Sequence, residues 1–245
     1  PMALVHSPFP KTPDNLSPGE KTAKGKGMSL SNFKDMTLYA DKIIGKIVSC
    51  LEKNDLREKT VIIFTTDNGT HRNLTYPYKG ESRKGEKAYP TDGGTHVPLI
   101  INCPGTVPQG IICNDLVDFS DFLPTITEIT RANLPNIQLD GQSFWPQCLG
   151  NKGNPRKWIF QYYYPKYSPA AKLNGQGING MEIIWAQNQF YKLYQNGKLY
   201  STKDRHEQHH IKAGENNHAD RIRELLQTAI DSMPKKAVKL DVKKR

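Results

Sequence analysis

The 245-residue chain carries 34 lysine and arginine residues against 24 aspartate and glutamate residues, a formal net charge of +10, and 36% of its residues are apolar. This composition is typical of a globular protein with a core, and no apolar run approaches the ~20 residues that a membrane-spanning helix needs. We expect no nucleic-acid binding, because no helix-turn-helix, zinc-finger or RNP pattern accompanies the positive charge. Much of that charge lies at 235–245, and we expect a solvated basic tail at 234–245.

The first elements in chain order are a strand end, a loop and a long helix. Residues 1–7 have the pattern of an apolar strand end, and a polar, Pro-rich loop over 8–27 follows. Apolar residues then recur at helical spacing over 31–54, which predicts a helix with one apolar face. Ser29 or Ser31 is placed to cap its start.

Two β-branched runs come next, at 61–66 and 97–101. Nearly continuous apolar runs of this length are typical of strands buried on both faces, as in a parallel sheet. A helix is predicted over 119–131, and the order of elements predicts an α/β core over 1–150.

After residue 149 the pattern changes to short strands, with an Asn196-Gly197 hairpin turn between the last two. We therefore expect a small antiparallel sheet and a closing helix over 151–233. The predicted strands and helix are 162–164, 182–186, 189–194, 198–201 and 221–233.

The four cysteines are widely spaced and form no CxxC pair, so a structural zinc site is not expected. Cys103 and Cys113 flank a Pro-Gly turn and could pair, but four cysteines allow three pairings. Buried free thiols are the alternative.

The Asp67-Asn68-Gly69 turn directly follows the first predicted buried strand. In open α/β sheets, ligands bind at the carboxyl ends of strands, and carboxylate and amide oxygens suit Ca²⁺ or Mg²⁺. An ordinary Asx-type turn is the alternative.

Lys87 and His6 are two further candidates. Lys87 precedes a Gly-Gly turn and the second strand, where a lysine can bind a sulfate or phosphate, although a solvated loop lysine is the simpler interpretation. His6 follows the apolar strand end, where a histidine is structural, a proton donor or an anion ligand.

Taken in order, the segments PMALVHSPFPKTPD, IIFTTDNGTH and KGEKAYPTDGGTHVPLI resemble the sulfatase family of the alkaline-phosphatase superfamily. The stretches DLVDFSDFLPTITEI and FYKLYQNGKLYSTKDRHEQ resemble its closing core segment and its C-terminal subdomain. The resemblance implies an α/β fold with a mixed or parallel sheet flanked by helices, followed by a small antiparallel sheet with a helix.

The resemblance also implies roles for single residues. Asp67 and Asn68 would be two ligands of the active-site divalent ion, Ca²⁺ with Mg²⁺ as the alternative. Lys87 would bind the sulfate oxygens, and His6 would contact the sulfate or assist the leaving oxygen. Two histidines in the matching block are candidate substrate-binding residues without an assigned role: His71 and His96.

The chain departs from the family pattern in two places. No cysteine or serine begins the C/S-x-P-x-R motif that yields the formylglycine nucleophile, and the acidic Asp-Asp pair of the metal site is absent. In the family both precede the His6 segment. We therefore expect a longer chain before Pro1. The 245 residues show no signal peptide pattern, and we expect them to be inactive alone.

The resulting hypothesis is a sulfuric ester hydrolase that acts on a sulfated small molecule or glycan, in a periplasmic, secreted or lysosomal setting. A phosphodiesterase or phosphonate hydrolase of the same superfamily, and a non-catalytic anion- or carbohydrate-binding relative, are the alternatives. The sequence leaves the substrate, the disulfide pairing and the oligomeric state open.

Overall fold

The computed structural model describes residues 4–19, 29–164, 172–173, 176–177 and 181–234. The first three residues and the predicted basic tail from 235 onward lie outside this part of the chain. Two compact units divide the chain: Pro1–Ile111 with Cys148–Gly150, and Ile112–Gln147 with Asn151–Arg245. The predicted domain boundary near residue 150 stays a prediction.

The described part of the first unit contains α-helices, strands and short 3-10 helices. In chain order the α-helices and strands are α1 (Leu30–Lys53), β1 (Ile62–Thr65), β2 (Thr75–Tyr78), β3 (Glu81–Lys84), α2 (Asp92–Thr95) and β4 (Leu99–Asn102).

Helix α1 confirms the predicted helix to within one residue at each end. Ser29, the first of the two predicted caps, accepts a hydrogen bond from the Asn32 N–H at 3.3 Å. The buried side chain of Met36 packs against Phe9 and Leu74 in a small core cluster. The helix therefore forms the surface on which the first described residues lie.

The predicted strand end at 1–7 is wrong for its described part, because residues 4–7 have no regular secondary structure. This segment is held by side chains from α1 instead of a neighbouring strand. The Asn32 side chain donates to the Phe9 carbonyl oxygen at 2.7 Å, and Asp35 accepts hydrogen bonds of 2.9 Å from the N–H and the hydroxyl of Thr12.

Strands β1 and β4 confirm the positions of the two β-branched runs but correct their arrangement. They pair antiparallel, with Ile62 opposite Asn102 and Thr65 opposite Leu99. Neither strand is buried on both faces, and Ile100 is 56% exposed. A continuous apolar run indicates a preference for burial, but it carries no information on the direction of the partner strand.

The second unit contains the small sheet and the closing helix that the sequence predicts. The elements that follow β4 are α3 (Phe122–Thr130), α4 (Trp145–Cys148), β5 (Ile159–Tyr163), β6 (Lys172–Leu173), β7 (Gln176–Gly177), β8 (Ile183–Gln187), β9 (Tyr191–Tyr194), β10 (Leu199–Ser201) and α5 (Asn217–Ser232). All belong to the second unit except Cys148, the last residue of α4. The four-stranded sheet has the order β10-β9-β8-β5, and all its pairs are antiparallel. With the α/β unit before it, this confirms the predicted fold class.

The core of the second unit lies between α5 and the sheet. Ala219, Leu226 and Ala229 of α5 are buried together with apolar residues of β8, β9 and β10. The Asn196-Gly197 turn joins β9 to β10 as predicted, and Gly197 has the positive φ of 81° that such turns require. Among the described residues, no helix is both long and apolar enough to cross a membrane.

All four cysteines are free thiols, as one of the two alternatives predicts. Cys103 is buried, Cys148 is partly buried, and Cys50 and Cys113 are exposed. The expectation of buried thiols is therefore confirmed fully only for Cys103.

A buried ion pair holds the start of α3. Asp121 is 1% exposed, and its two carboxylate oxygens share the Nε–H of Arg156, at 2.7 and 2.8 Å from Nε. The same carboxylate accepts the backbone N–H groups of Asp118 and Gln142, each at 2.8 Å. Its lone pairs are thus shared among one cation and two backbone donors, which compensates the cost of burying the charge.

Asp121→Ala should destabilise the protein by about 3–5 kcal/mol, because it leaves the Arg156 guanidinium buried without its counter-ion. Urea denaturation of the full-length protein measures this change in the free energy of unfolding. The same substitution at exposed Asp231 is the control and should cost less than about 0.5 kcal/mol. Equal effects at the two positions would contradict the assigned role of the buried pair.

Candidate functional site

The Asp67-Asn68-Gly69 turn and the loop that carries Lys87 are joined by backbone hydrogen bonds within the first unit. The Gly69 N–H donates to the Gly94 carbonyl oxygen at 3.0 Å, and the Lys87 N–H donates to the Thr70 carbonyl oxygen at 2.9 Å. Segments about 20 residues apart in the sequence therefore lie side by side. We call residues 67–71 and 85–96 the loop cluster.

Glycine is required in the loop cluster because the backbones approach too closely for a side chain. A Cβ atom on Gly69 would lie 1.9 Å from the Gly93 carbonyl oxygen. One on Gly94 would lie 2.2 Å from the Tyr89 carbonyl oxygen, and one on Gly85 would lie 2.3 Å from the His71 carbonyl oxygen. The three glycines thus set the spacing between the loops.

Glu86 holds the loop around Lys87 from the inside, and sequence reasoning missed it. Its side chain is buried and accepts hydrogen bonds from the Thr91 hydroxyl at 2.5 Å and the Gly93 N–H at 3.1 Å. Ala88, which directly follows Lys87, has a positive φ of 75°, a backbone conformation that is uncommon for a residue other than glycine. Nothing in KGEK separates this buried glutamate from an exposed loop acid.

His71 lies close to both Lys87 and His6. Burial lowers the pKa of His71, and the positive charges of Arg72, Lys87 and His6 lower it further. Its Nδ1 accepts the Asn73 N–H at 3.2 Å, so the proton of the neutral ring is on Nε2. The structure therefore brings these candidate residues together around a neutral imidazole that keeps a donor.

His6 itself is exposed and lies on the segment packed against α1. Its Nδ1 donates to the Ser7 carbonyl oxygen at 2.6 Å. Three residues further on, the buried Phe9 ring meets the His71 ring edge to face, with 6.1 Å between their centroids. Packing of Phe9 thus fixes the position of the His6 segment beside the loop cluster.

Asp67 is exposed, and its carboxylate accepts no hydrogen bond from any described residue. The turn follows β1 as predicted, but the strand before it is only partly buried, where a strand buried on both faces was expected. Asn68 is partly buried, and its backbone carbonyl oxygen accepts the Thr66 hydroxyl at 3.3 Å. The side-chain oxygens of both residues therefore remain available as metal ligands.

Asp67 and Asn68 are ligands of the type that a hard cation binds, but two ligands do not complete its coordination. Carboxylate and amide oxygens are the ligands that Ca²⁺ prefers, and Ca²⁺ takes about 6–8 of them. Across the described ranges, no three His, Cys, Asp or Glu side chains are grouped so as to hold a metal ion. Asp67 and Asn68 therefore fit part of a calcium site.

Asp92, the first residue of α2, and His96, which directly follows the helix, form a separate pair. Nδ1 of His96 lies 3.1 Å from Oδ1 of Asp92, and the imidazole is 75% exposed. The hydrogen bond to Asp92 raises the pKa of His96. Asp92 is thus engaged by a neighbouring side chain.

Gly69→Ala should destabilise the protein by about 1–3 kcal/mol, because the added Cβ forces the two loops apart. Thermal and urea denaturation of the full-length protein measure this. Gly45→Ala in the middle of α1 is the matched control, since its Cβ meets nothing within 4 Å. It should stabilise by about 0.5–1 kcal/mol, and a stable Gly69→Ala protein would contradict the close packing.

The His71 imidazole should titrate below its ordinary pKa of 6.5, and Lys87→Met should raise that pKa by removing a positive charge. NMR titration of the histidine ring protons measures both values. Because a lowered pKa means that the folded state binds fewer protons, the stability contributed by neutral His71 is complete above pH 6.5. It is lost as the pH falls through the lowered pKa.

Lys84→Met is the matched control. It also removes one positive charge, but Lys84 is not among the residues whose charge lowers the pKa of His71, so that pKa should stay unchanged. An equal rise in both variants would show a general charge effect and would contradict the assigned proximity of Lys87.

Comparison with known proteins identifies the family of the chain. The family model described as Sulfatase matches residues 4–132, and the model described as N-sulphoglucosamine sulphohydrolase, C-terminal, matches residues 80–236. Human arylsulfatase A is 34% identical over 137 residues, which are 55% of this chain and 26% of that protein. The chain thus spans about a quarter of the length of this curated relative.

Solved structures share the fold. One is a protein in complex with its substrate D-glucosamine-2-N,6-O-disulfate, with a TM-score of 0.61, 20% identity and coverage of 82% of this chain and 39% of that one. Another is a phosphonate monoester hydrolase from Silicibacter pomeroyi, with a TM-score of 0.57, 19% identity and coverage of 88% and 44%. Since the Sulfatase model alone matches more than half of the residues, the chain belongs to the sulfatase family.

Proposed function

We propose that the full-length protein is a sulfuric ester hydrolase that releases inorganic sulfate from a sulfated small molecule or glycan. The observation that carries this proposal is the loop cluster, in which Gly69 and Gly94 hold the Asp67-Asn68 turn against the loop of Lys87. Lys87 is a cationic hydrogen-bond donor, and Asp67 and Asn68 offer two oxygens for a metal ion on the adjacent loop. Binding of an anionic ester group requires such positive charge. Family membership supports the same assignment.

In this proposal the residues of the chain bind and orient the sulfate. Lys87 supplies positive charge to the sulfate oxygens, and neutral His71 supplies its Nε2–H as a further donor. His6 contacts the sulfate or protonates the leaving oxygen, for which an exposed imidazole is suited. His96, whose ring is paired with Asp92, remains a substrate-binding candidate on the adjoining turn.

Asp67 and Asn68 would contribute two ligands to a divalent cation, Ca²⁺ with Mg²⁺ as the alternative. Such an ion polarises the sulfuryl oxygens and stabilises the negative charge that develops on them. The exposed Asp67 carboxylate, which accepts no hydrogen bond from a described residue, supports this assignment. The remaining oxygen ligands would come from outside the 245 residues.

The nucleophile would also come from outside these residues. No cysteine or serine here begins C/S-x-P-x-R, so we assign the formylglycine of the family to another part of the full-length protein. The division is chemical: this chain supplies the electrostatic part of the site, and the other segment supplies the attacking group. A periplasmic, secreted or lysosomal setting accompanies the proposal, supported by the family alone.

Sulfate esters are favoured over phosphonates or phosphodiesters by the comparisons. Both matching family models carry sulfatase or sulphohydrolase descriptions, and arylsulfatase A shares 34% identity. The phosphonate monoester hydrolase shares the fold at 19% identity. Assays of the full-length protein with an aryl sulfate and the matching aryl phosphonate distinguish the two activities.

Asp67→Ala in the full-length protein should reduce aryl sulfate turnover by at least about 100-fold and weaken Ca²⁺ binding, because it removes a charged metal ligand. Sulfate release and calorimetry with Ca²⁺ measure the two effects. Asp92→Ala is the matched control and should change both values far less, since Asp92 pairs with His96. Normal Ca²⁺ binding by the Asp67→Ala protein would place the metal site elsewhere.

A further inference from the structure

A two-stranded hairpin projects from the loop cluster between Asn68 and Lys87. Strands β2 and β3 pair antiparallel, with Tyr76 opposite Arg83 and Tyr78 opposite Glu81. Since side chains alternate along a strand, these four residues share one face of the hairpin. We call Tyr76, Tyr78, Glu81 and Arg83 the aromatic–cationic face.

Cations lie over the exposed aromatic ring of this face. The Arg83 guanidinium is 4.2 Å from the centroid of the Tyr78 ring, and the Lys79 Nζ is 5.4 Å from it. Tyr78 is 43% exposed and the Arg83 side chain is 30% exposed, so both are open to a ligand. A guanidinium stacked on a tyrosine keeps its N–H groups at the edge, where they can bind a planar or tetrahedral anion.

The hairpin has an excess of positive charge that its own acids do not offset. Residues 71–87 contain five lysine and arginine residues and two glutamates. Glu86 is buried and bonded to Thr91 and Gly93, and Glu81 reaches Arg83 only at 3.4 Å while 71% exposed. An exposed contact of this length is worth little, so Arg83 retains donors for another anion.

The base of the hairpin is fixed to the candidate site. The Gly85 N–H donates to the Leu74 carbonyl oxygen at 2.9 Å, and the Leu74 N–H donates to the His71 carbonyl oxygen at 3.0 Å. Leu74 itself is 2% exposed in the core cluster with Phe9. The aromatic–cationic face therefore begins beside His71 and Lys87, and at about 3.4 Å per residue it extends roughly 10 Å from there.

We propose that the hairpin is a substrate-recognition element, and that the substrate is an oligosaccharide with an anionic group in addition to the sulfate that is cleaved. Arg83, with Lys79, binds the second sulfate or carboxylate, and Tyr78 packs on the apolar face of the sugar that carries it. This inference rests on the proposed function and narrows its substrate class. It assigns the specificity to residues that take no part in binding the scissile sulfate.

The test compares two substrates in the full-length protein: an aryl monosulfate, and a tetrasaccharide carrying at least two sulfate groups. Arg83→Gln should raise KM for the tetrasaccharide by about 10-fold or more, since a charge-assisted contact is lost. It should leave kcat/KM for the aryl sulfate within about twofold. Tyr78→Ala should show the same selectivity.

Lys84→Gln is the matched control, because it removes one positive charge from the opposite face of the same strand. It should change KM for the tetrasaccharide by less than about twofold. Equal losses in Arg83→Gln and Lys84→Gln would show non-specific attraction to a basic surface and would overturn the inference. So would a tetrasaccharide KM unchanged by Arg83→Gln.

The outcomes separate this inference from the proposed function. A full-length protein that hydrolyses neither substrate refutes the proposed function. A protein that hydrolyses the aryl sulfate, but whose KM for the tetrasaccharide is unchanged by Arg83→Gln, refutes only the role of the hairpin. The same holds for a protein that prefers the aryl sulfate over the tetrasaccharide.

Discussion

The hydrogen bond from the Gly69 N–H to the Gly94 carbonyl oxygen, at 3.0 Å, sets the position of the candidate site. It is possible only because neither backbone carries a side chain where they meet, and a Cβ on Gly69 would lie 1.9 Å from a carbonyl oxygen. The contact fixes the Asp67-Asn68 oxygens relative to the loop of Lys87. The buried Glu86 then holds that loop by accepting the Thr91 hydroxyl and the Gly93 N–H. An anion-binding site needs this preorganisation, because charges that must move into place cost free energy at each turnover.

The electrostatics of the loop cluster follow from the same packing. His71 is placed where burial and the charges of Arg72, Lys87 and His6 all disfavour a further proton. The loop cluster thus combines positive charge with a neutral imidazole donor, and the proposed binding of sulfate rests on this combination. The basic hairpin extends that positive field outward from the same loops.

The sequence predicted the local elements well and their arrangement less well. Helix α1 and the Asn196-Gly197 hairpin carry strong local signals, a helical apolar period with a serine cap and a two-residue turn, and both are where they were expected. The direction of β1 against β4 depends on contacts between distant residues, so the predicted parallel arrangement was wrong. The same contacts decide burial, so β1, which was expected to be buried on both faces, is only partly buried.

Within the candidate site, residue types that resemble a family motif were recognised, and residues that support them were not. Lys87, His6 and the Asp67-Asn68 pair were found from the order of three motifs. Glu86 was missed because a buried carboxylate has no signature in a lysine-rich loop. The roles of all these residues stay predictions, and the family assignment itself follows from the match over residues 4–132.

The measurement that tests the central claim most directly is a crystal structure of the full-length protein with Ca²⁺ and sulfate. The account predicts a sulfate oxygen about 2.7–3.2 Å from Nζ of Lys87, which is hydrogen-bond distance. It also predicts a cation about 2.3–2.6 Å from side-chain oxygens of Asp67 and Asn68. A sulfate and a cation bound together at another place, with Lys87 and Asp67 both facing solvent, would contradict it.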